Sequence, residues 1–291
     1  MYKFVKWSLS FVVSGYLLIA ATAYFFQEHL MFHFAPVPDT HRYHFNASTE
    51  DVWLSSQGGH LHGVLFKADE GKKARELVVY YKGNAGNVSG SERMARLFLG
   101  MGYDVLSMDY RGFGKSRGEL SEASLLDDAE RWFDWGRDNY GDQNVRVVGY
   151  SMGTTFASHV AAARAAGNVI LFAPMKSVVD MASRRYPFLP EFLTNYPLRS
   201  DEKLAEAPGH VVIYHGTADE VVPFASGEGL KDYLGPDDAF VPVEGANHYT
   251  VAIQTSVQAD ITARWGASAS TLTQTLPQAG PSLSRESAPM N

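Results

Sequence analysis

Three side chains in this sequence have types and spacing that could do chemistry together. Ser151 sits in Gly149-Tyr150-Ser151-Met152-Gly153, a Gly-x-Ser-x-Gly run. A serine hydroxyl becomes a useful nucleophile at neutral pH only when a base takes its proton, and the base needs a carboxylate to orient it. Asp219 follows the apolar run Val211-Val212-Ile213-Tyr214-His215 and the small residues Gly216-Thr217-Ala218. His248 ends the run Gly245-Ala246-Asn247-His248. The chain order nucleophile, acid, base is one in which such triads recur. The chemistry would be acyl transfer, with attack on a carbonyl, an acyl-enzyme and hydrolysis by water. It needs no cofactor and no metal.

Each assignment has rivals. Gly-x-Ser-x-Gly would also fit a plain strand-to-helix turn with a capping serine. Among the ten histidines, His29, His33, His41 and His44 precede any sheet, and His60 and His62 fall in an early hairpin. His159 lies on the helix after Ser151, and His210 and His215 flank a strand. His248 alone occupies a loop at the carboxyl end of a strand, where open sheets gather their sites. Glu220 is the near competitor of Asp219; Asp180 and Asp201 are remote ones. His29 and His33 have the helical spacing of metal ligands, but no third ligand or Glu accompanies them, which favours an interfacial position. An oxyanion needs preorganised donors. The backbone amide of Met152 is one; the Asn84 amide is the other, with Ala85 as second choice, from the loop Lys82-Gly83-Asn84-Ala85-Gly86-Asn87.

These residues need a scaffold, and the sequence reads as α/β. Residues 77–81, 103–108, 145–149, 169–172 and 211–215 are short apolar runs bounded by Gly, Asn, Asp or Pro, the pattern of buried strands. Helical stretches at 121–140 and 152–166 lie between some of them, and a further strand, 240–243, precedes His248. Such alternation predicts a mostly parallel central sheet covered by helices on both faces. Residues 51–67, interrupted by Gly58-Gly59, predict an added N-terminal hairpin. Between Pro174 and Pro208 the alternation lapses. Phe188, Leu189, Phe192, Leu193 and Tyr196, punctuated by prolines, read either as a small lid with an apolar acyl pocket or as ordinary surface packing.

Residues 7–26 carry no charge. Twenty residues rise about 30 Å as a helix, the thickness of a bilayer core. Lys3 and Lys6 precede the run, which predicts a cytoplasmic N-terminus and a catalytic domain on the periplasmic or extracytoplasmic side. The alternative is a signal peptide cleaved near Ala21-Thr22-Ala23, with a secreted product. The expected organisation is thus a transmembrane anchor at 7–26, a hydrolase domain at 28–266 and a disordered tail at 267–291, rich in Ser, Thr, Pro, Gln and Ala. Across the 291 residues the net charge is −7, which argues against a nucleic-acid partner. The absence of cysteine excludes disulfides, thiolate metal sites and a thiol nucleophile. Asn46 and Asn87 begin glycosylation sequons, and a glycan on Asn87 would crowd the oxyanion loop, which favours a compartment without N-glycosylation or an unmodified sequon.

Five segments together resemble a known group. They are Gly83-Asn84-Ala85-Gly86-Asn87, Asp109-Tyr110-Arg111-Gly112-Phe113-Gly114-Lys115-Ser116, Gly149-Tyr150-Ser151-Met152-Gly153, His215-Gly216-Thr217-Ala218-Asp219 and Asn247-His248. Residues 45–265 are similar to the α/β hydrolases of the BEM46-like, ABHD-type branch. The resemblance implies the α/β-hydrolase fold, a Ser151-Asp219-His248 triad and, often, an N-terminal membrane anchor. It does not fix the substrate. The family usually carries His where this chain has Lys82, so the bonding that shapes the oxyanion loop departs from its pattern. The Arg111–Ser116 turn reads as structural. The expected function is a membrane-anchored carboxylic ester hydrolase acting on a small ester or lipid, acylglycerols or lysolipids included. A peptidase of the same fold and a non-catalytic scaffold are the rivals.

Overall fold

The computed structural model describes residues 2–68, 74 and 76–266; the expected tail at 267–291 lies outside them. Nine strands form one sheet: β1 (Thr49–Ser56), β2 (Gly59–Phe66), β3 (Leu77–Tyr81), β4 (Asp104–Met108), β5 (Arg117–Gly118), β6 (Val145–Tyr150), β7 (Asn168–Phe172), β8 (His210–Gly216) and β9 (Ala239–Val243). Their order is β1-β2-β4-β3-β6-β7-β8-β9, with the two-residue β5 paired to β2. β1 and β2 form the expected antiparallel hairpin, and β2 meets β4 antiparallel. Every pairing from β4 to β9 along that order is parallel.

Burial explains why these runs are strands. All five residues of β3 and of β4 are buried, as expected where a parallel sheet is covered on both faces. Alternate residues serve opposite layers. Leu77, Val79 and Tyr81 join Trp132, Phe133 and Phe156 on one face. Val78 and Tyr80 join Phe98, Ile261 and Trp265 on the other. The helices α1 (Tyr2–Met31), α2 (Glu92–Leu99), α3 (Glu122–Tyr140), α4 (Gly153–Ala163), α5 (Val178–Arg185), α6 (Ser200–Glu206), α7 (Phe224–Glu228) and α8 (Thr255–Trp265) complete the fold. Ser121, expected as the first residue of α3, is instead its cap: its hydroxyl accepts the Ser124 amide and Ser124 reciprocates. α4 stops three residues before the expected 166, and Ala165 takes a positive φ of 52°.

The sheet order changes direction at β3, since β4 lies to one side of it and β6 to the other. Loops leaving the carboxyl ends of β3 and β6 diverge there and open a crevice, the usual ligand position in such sheets. The loop after β3 carries Asn84, and the turn after β6 carries Ser151.

α1 extends past the 7–26 run. Among the described residues it is the one helix long and apolar enough to cross a membrane, over Phe4–Met31. Its last turn is part of the folded domain: Gln27 is buried, and Phe32 just beyond packs edge-on against Tyr196 at 5.3 Å between ring centroids.

Candidate active site

Ser151 occupies a backbone conformation that only a tight turn imposes. Its φ is +54°, a region that costs a non-glycine residue about 1–3 kcal/mol and persists only where surroundings enforce it. The Ser151 amide donates to the Phe172 carbonyl at 2.9 Å, and the Thr154 amide donates to the Ser151 carbonyl at 2.9 Å. The flanking glycines are steric requirements. A Cβ on Gly149 would sit 2.7 Å from Thr154 Cα, and one on Gly153 would collide with the Tyr81 carbonyl. β6 and α4 can therefore approach closely enough to lift Ser151 to the sheet edge at the head of α4, where free amides favour negative charge.

Asp219 and His248 arrive from the neighbouring strand ends, after β8 and β9. His248 Nδ1 lies 2.8 Å from Asp219 Oδ2. The other oxygen, Oδ1, accepts the amides of Val221 and Val222 at 2.9 and 2.8 Å. Burial works against the charge on Asp219. Hydrogen bonding from His215 and His248 and the Val222 amide outweighs it and holds the carboxyl below the usual aspartate range. His248 is placed by its backbone: its carbonyl accepts the Tyr150 hydroxyl at 2.8 Å. Asn247 closes the loop, with Oδ1 accepting the Tyr249 and Thr250 amides at 3.1 Å each. None of the rival carboxylates bonds His248: Glu220 is exposed, Asp180 accepts the Ser226 hydroxyl, and Asp201 is buried in α6.

Ser151 and His248 line one cavity of about 230 Å³ together with Gly83, Asn84, Ala85 and Val221. The amides of Asn84 and Met152 have no acceptor among the described residues. Asn84 is tethered on its other atoms, with Nδ2 donating to the Met31 carbonyl at 2.7 Å and its own carbonyl accepting the His33 amide at 3.2 Å. His33 thus enters through its backbone. Among the bonds of the described residues none joins the Ser151 hydroxyl to His248, a contact that commonly tightens only when substrate binds.

Two residues have contacts that the sequence does not give. The sequence places His215 at a strand flank and at the head of the run ending in Asp219. It is fully buried, its Nε2 lies 3.5 Å from Asp219 Oδ2 and 3.0 Å from the Val222 carbonyl, and a Cβ on Gly227 would collide with its Nδ1. The signal was its position four residues before Asp219 in the same strand-end run. Lys82, where the family has His, bonds inward. Its Nζ donates to the Gly86 carbonyl at 3.0 Å and stands 4.5 Å above the Phe113 ring. Burial pushes its pKa down to about 8, against the pull of Asp109. Lys82 therefore closes the loop after β3 on itself. The Arg111–Ser116 turn is structural as expected: buried Arg111 pairs with Asp128 at 2.6 Å.

The expected lid residues divide. Phe188 and Phe192 are exposed, at 54% and 81%. Leu189 and Leu193 instead line a second cavity, against α1. Tyr196 is buried, with its hydroxyl on Glu28, and belongs to the packing beneath α1 rather than to a pocket. None of the five lines the Ser151 cavity.

A family model described as alpha/beta hydrolase fold matches residues 76–207. An uncharacterized protein of Mycobacterium tuberculosis is 30% identical over 204 residues, covering 68% of this chain and 72% of that protein. The lysophosphatidylserine lipase ABHD12 of Bos taurus is 27% identical over 209 residues, covering 65% of this chain and 52% of that one. The chain thus spans about half the length of that lipase. Among solved structures, an esterase of Pyrococcus furiosus superposes with a TM-score of 0.63 over 80% of this chain and 97% of its own, at 17% identity, a likeness of fold alone.

Proposed function

The chain belongs to the α/β-hydrolase family, in its ABHD-type branch, and from that premise we propose a serine hydrolase that cleaves carboxylic esters at a membrane. The observation that carries the proposal is convergence. Ser151, His248 and Asp219 come from three separate strand ends to one crevice, with the His248–Asp219 contact at 2.8 Å.

In the proposed reaction Ser151 Oγ attacks the ester carbonyl while His248 Nε2 takes its proton. Asp219, ionised by its surroundings, holds Nδ1–H and favours the imidazolium that forms. The Asn84 and Met152 amides receive the oxyanion. Collapse expels the alcohol, which leaves with the proton from His248. Water then attacks the acyl-enzyme, with His248 as base again.

α1 fits a single-pass anchor. Lys3 and Lys6 before it favour a cytoplasmic N-terminus, with the catalytic domain across the membrane. That location, and the named activity of the ABHD12 relative, favour acylglycerols or lysolipids as substrates. A hydrolysis screen of the full chain over p-nitrophenyl esters, lysophospholipids and peptide amides tests the reading. Ester cleavage that is lost in Ser151→Ala is the expected result. Cleavage of amides but not esters would shift the chain to the peptidases, and no turnover by folded protein would leave a scaffold.

A further inference from the structure

α1 does more than reach a membrane; it forms one wall of a cavity. Ala23, Leu30 and Met31 of α1 face Val178 and Ala182 of α5, with Leu193 closing the end, around a space of about 330 Å³. That volume is at the small end of ligand pockets, with room for one chain rather than two. The seam is fixed by directed bonds. Gln27 Nε2 donates to the Leu193 carbonyl at 3.2 Å, and Gln27 Oε1 accepts the Asn195 amide at 2.7 Å. Farther along α1, the Tyr16 hydroxyl donates to the Phe188 carbonyl at 3.1 Å. Tyr16 precedes Gln27 by eleven residues, about 17 Å along a helix axis. The loop bearing exposed Phe188 and Phe192 therefore lies beside the apolar run of α1.

We propose that this cavity receives the acyl chain of a single-chain lipid entering laterally from the bilayer. The proposal deepens the ester-hydrolase reading and rests on it for the chemistry. Its inner end is linked to the Ser151 cavity through Met31 and Asn84. Met31 lines the cavity, its carbonyl is held by Asn84 Nδ2 at 2.7 Å, and Asn84 lines the Ser151 cavity. A chain lying along Met31 would bring its ester carbonyl to the Asn84 side of Ser151. Exposed aromatic side chains at the outer end are costly in water and suited to lipid. A different cavity of about 540 Å³ also adjoins the Ser151 site through Tyr80, Tyr150 and Tyr249. No residue of α1 lines it, so a chain entering beside α1 would not meet it; Arg93 and Arg96 stand in its walls, as Arg185 and Glu191 do in the α1 cavity.

The test uses the full chain in phosphatidylcholine vesicles. A palmitoyl lysophosphatidylcholine with a diazirine at the chain end is photolysed with Ser151→Ala protein, which cannot turn it over. Crosslinks within residues 178–194 and 23–31 are expected. Crosslinks confined to residues 4–22, as from bulk lipid, or to residues 90–101 would overturn the proposal. Ala182→Trp, which fills the cavity, is then compared with wild type on palmitoyl and butyryl p-nitrophenyl esters. The palmitoyl-to-butyryl ratio of kcat/KM is expected to fall by at least about tenfold, the loss when two or so methylenes lose their burial. An unchanged ratio counts against the cavity. If the variant does not fold, the crosslinking pattern decides. Crosslinks at 178–194 in a wild-type protein that hydrolyses no ester would support the cavity and sink the hydrolase reading instead.

Discussion

The strand-end crevice and the α1 seam are built in opposite ways. In the crevice each functional group is held by its own turn: Ser151 by Thr154, Asp219 by Val221 and Val222, and His248 by the closed loop at Asn247. The sheet then brings three such turns together. In the seam, Gln27 meets Leu193 and Tyr16 meets Phe188 across more than 160 residues of chain. The crevice adds longer ties, from the Ser151 amide to the Phe172 carbonyl, from Tyr150 to the His248 carbonyl and from Asn84 to Met31, whereas the seam rests on a few long-range bonds and on apolar fill. Loss of a seam bond should therefore disturb substrate capture more than chemistry.

The largest expected effect is on the crevice. Ser151→Ala should lower kcat for an ester by about 10⁵–10⁶, measured by steady-state hydrolysis, while hydrogen exchange in residues 186–196 stays as in wild type. A change in exchange there would show the two regions to be coupled.

Asp219→Asn should lower kcat by about 10⁴. It should also alter acid stability. The folded carboxyl is held below its unfolded value, so its contribution is full above about pH 4 and is lost as pH falls below that through the folded pKa. Thermal melts from neutral pH down to about pH 3 should show a shallower decline for Asp219→Asn than for wild type. An equal decline would mean that other carboxylates carry the acid limb.

Gln27→Ala removes both part-buried bonds to residues 193–195. About 1–3 kcal/mol of stability should be lost, read by denaturant unfolding, with faster exchange concentrated in residues 186–196. Exchange that speeds up around Ser151 instead would contradict the separation of the two regions.

Lys82→Met is the smallest. It frees the Gly86 carbonyl, worth about 1 kcal/mol, and should lower kcat by about tenfold at most. The wild-type ammonium is pushed down to about 8 by burial, so the folded state binds fewer protons than the unfolded one above that pH. Stability should then rise with pH from about 8 to about 10.5, and Lys82→Met should abolish that rise.

The crevice was legible because each of its groups follows an apolar run and a small-residue turn. Strand periodicity places β3 at its observed ends and β4, β6, β7, β8 and β9 within one residue at each end, while the two-residue β5 carries no such signal, and strand ends point to the serine, aspartate and histidine that lie together. His215 was not legible because its reach to Asp219 depends on Gly227 leaving space, a contact between separate elements. Lys82 looked like a break in the family pattern because its partner, the Gly86 carbonyl, has no side-chain signal. The seam was least legible. Hydropathy gives no mark along α1 where the apolar run ends and packing on the domain begins, so residues 27–31 read as past the anchor rather than as a docked turn. Phe192 and Leu193 are neighbours in sequence and equally apolar, yet one is exposed and the other lines the cavity. Only packing separates them.

The central claim, a catalytic Ser151 in this crevice, is tested most directly by covalent capture. The full chain in vesicles is treated with a fluorophosphonate probe and the labelled peptide is mapped by mass. The account predicts one label, on Ser151, absent from Ser151→Ala and strongly slowed in Asp219→Asn. Folded wild-type protein that takes no label, or takes it on another residue, would contradict it.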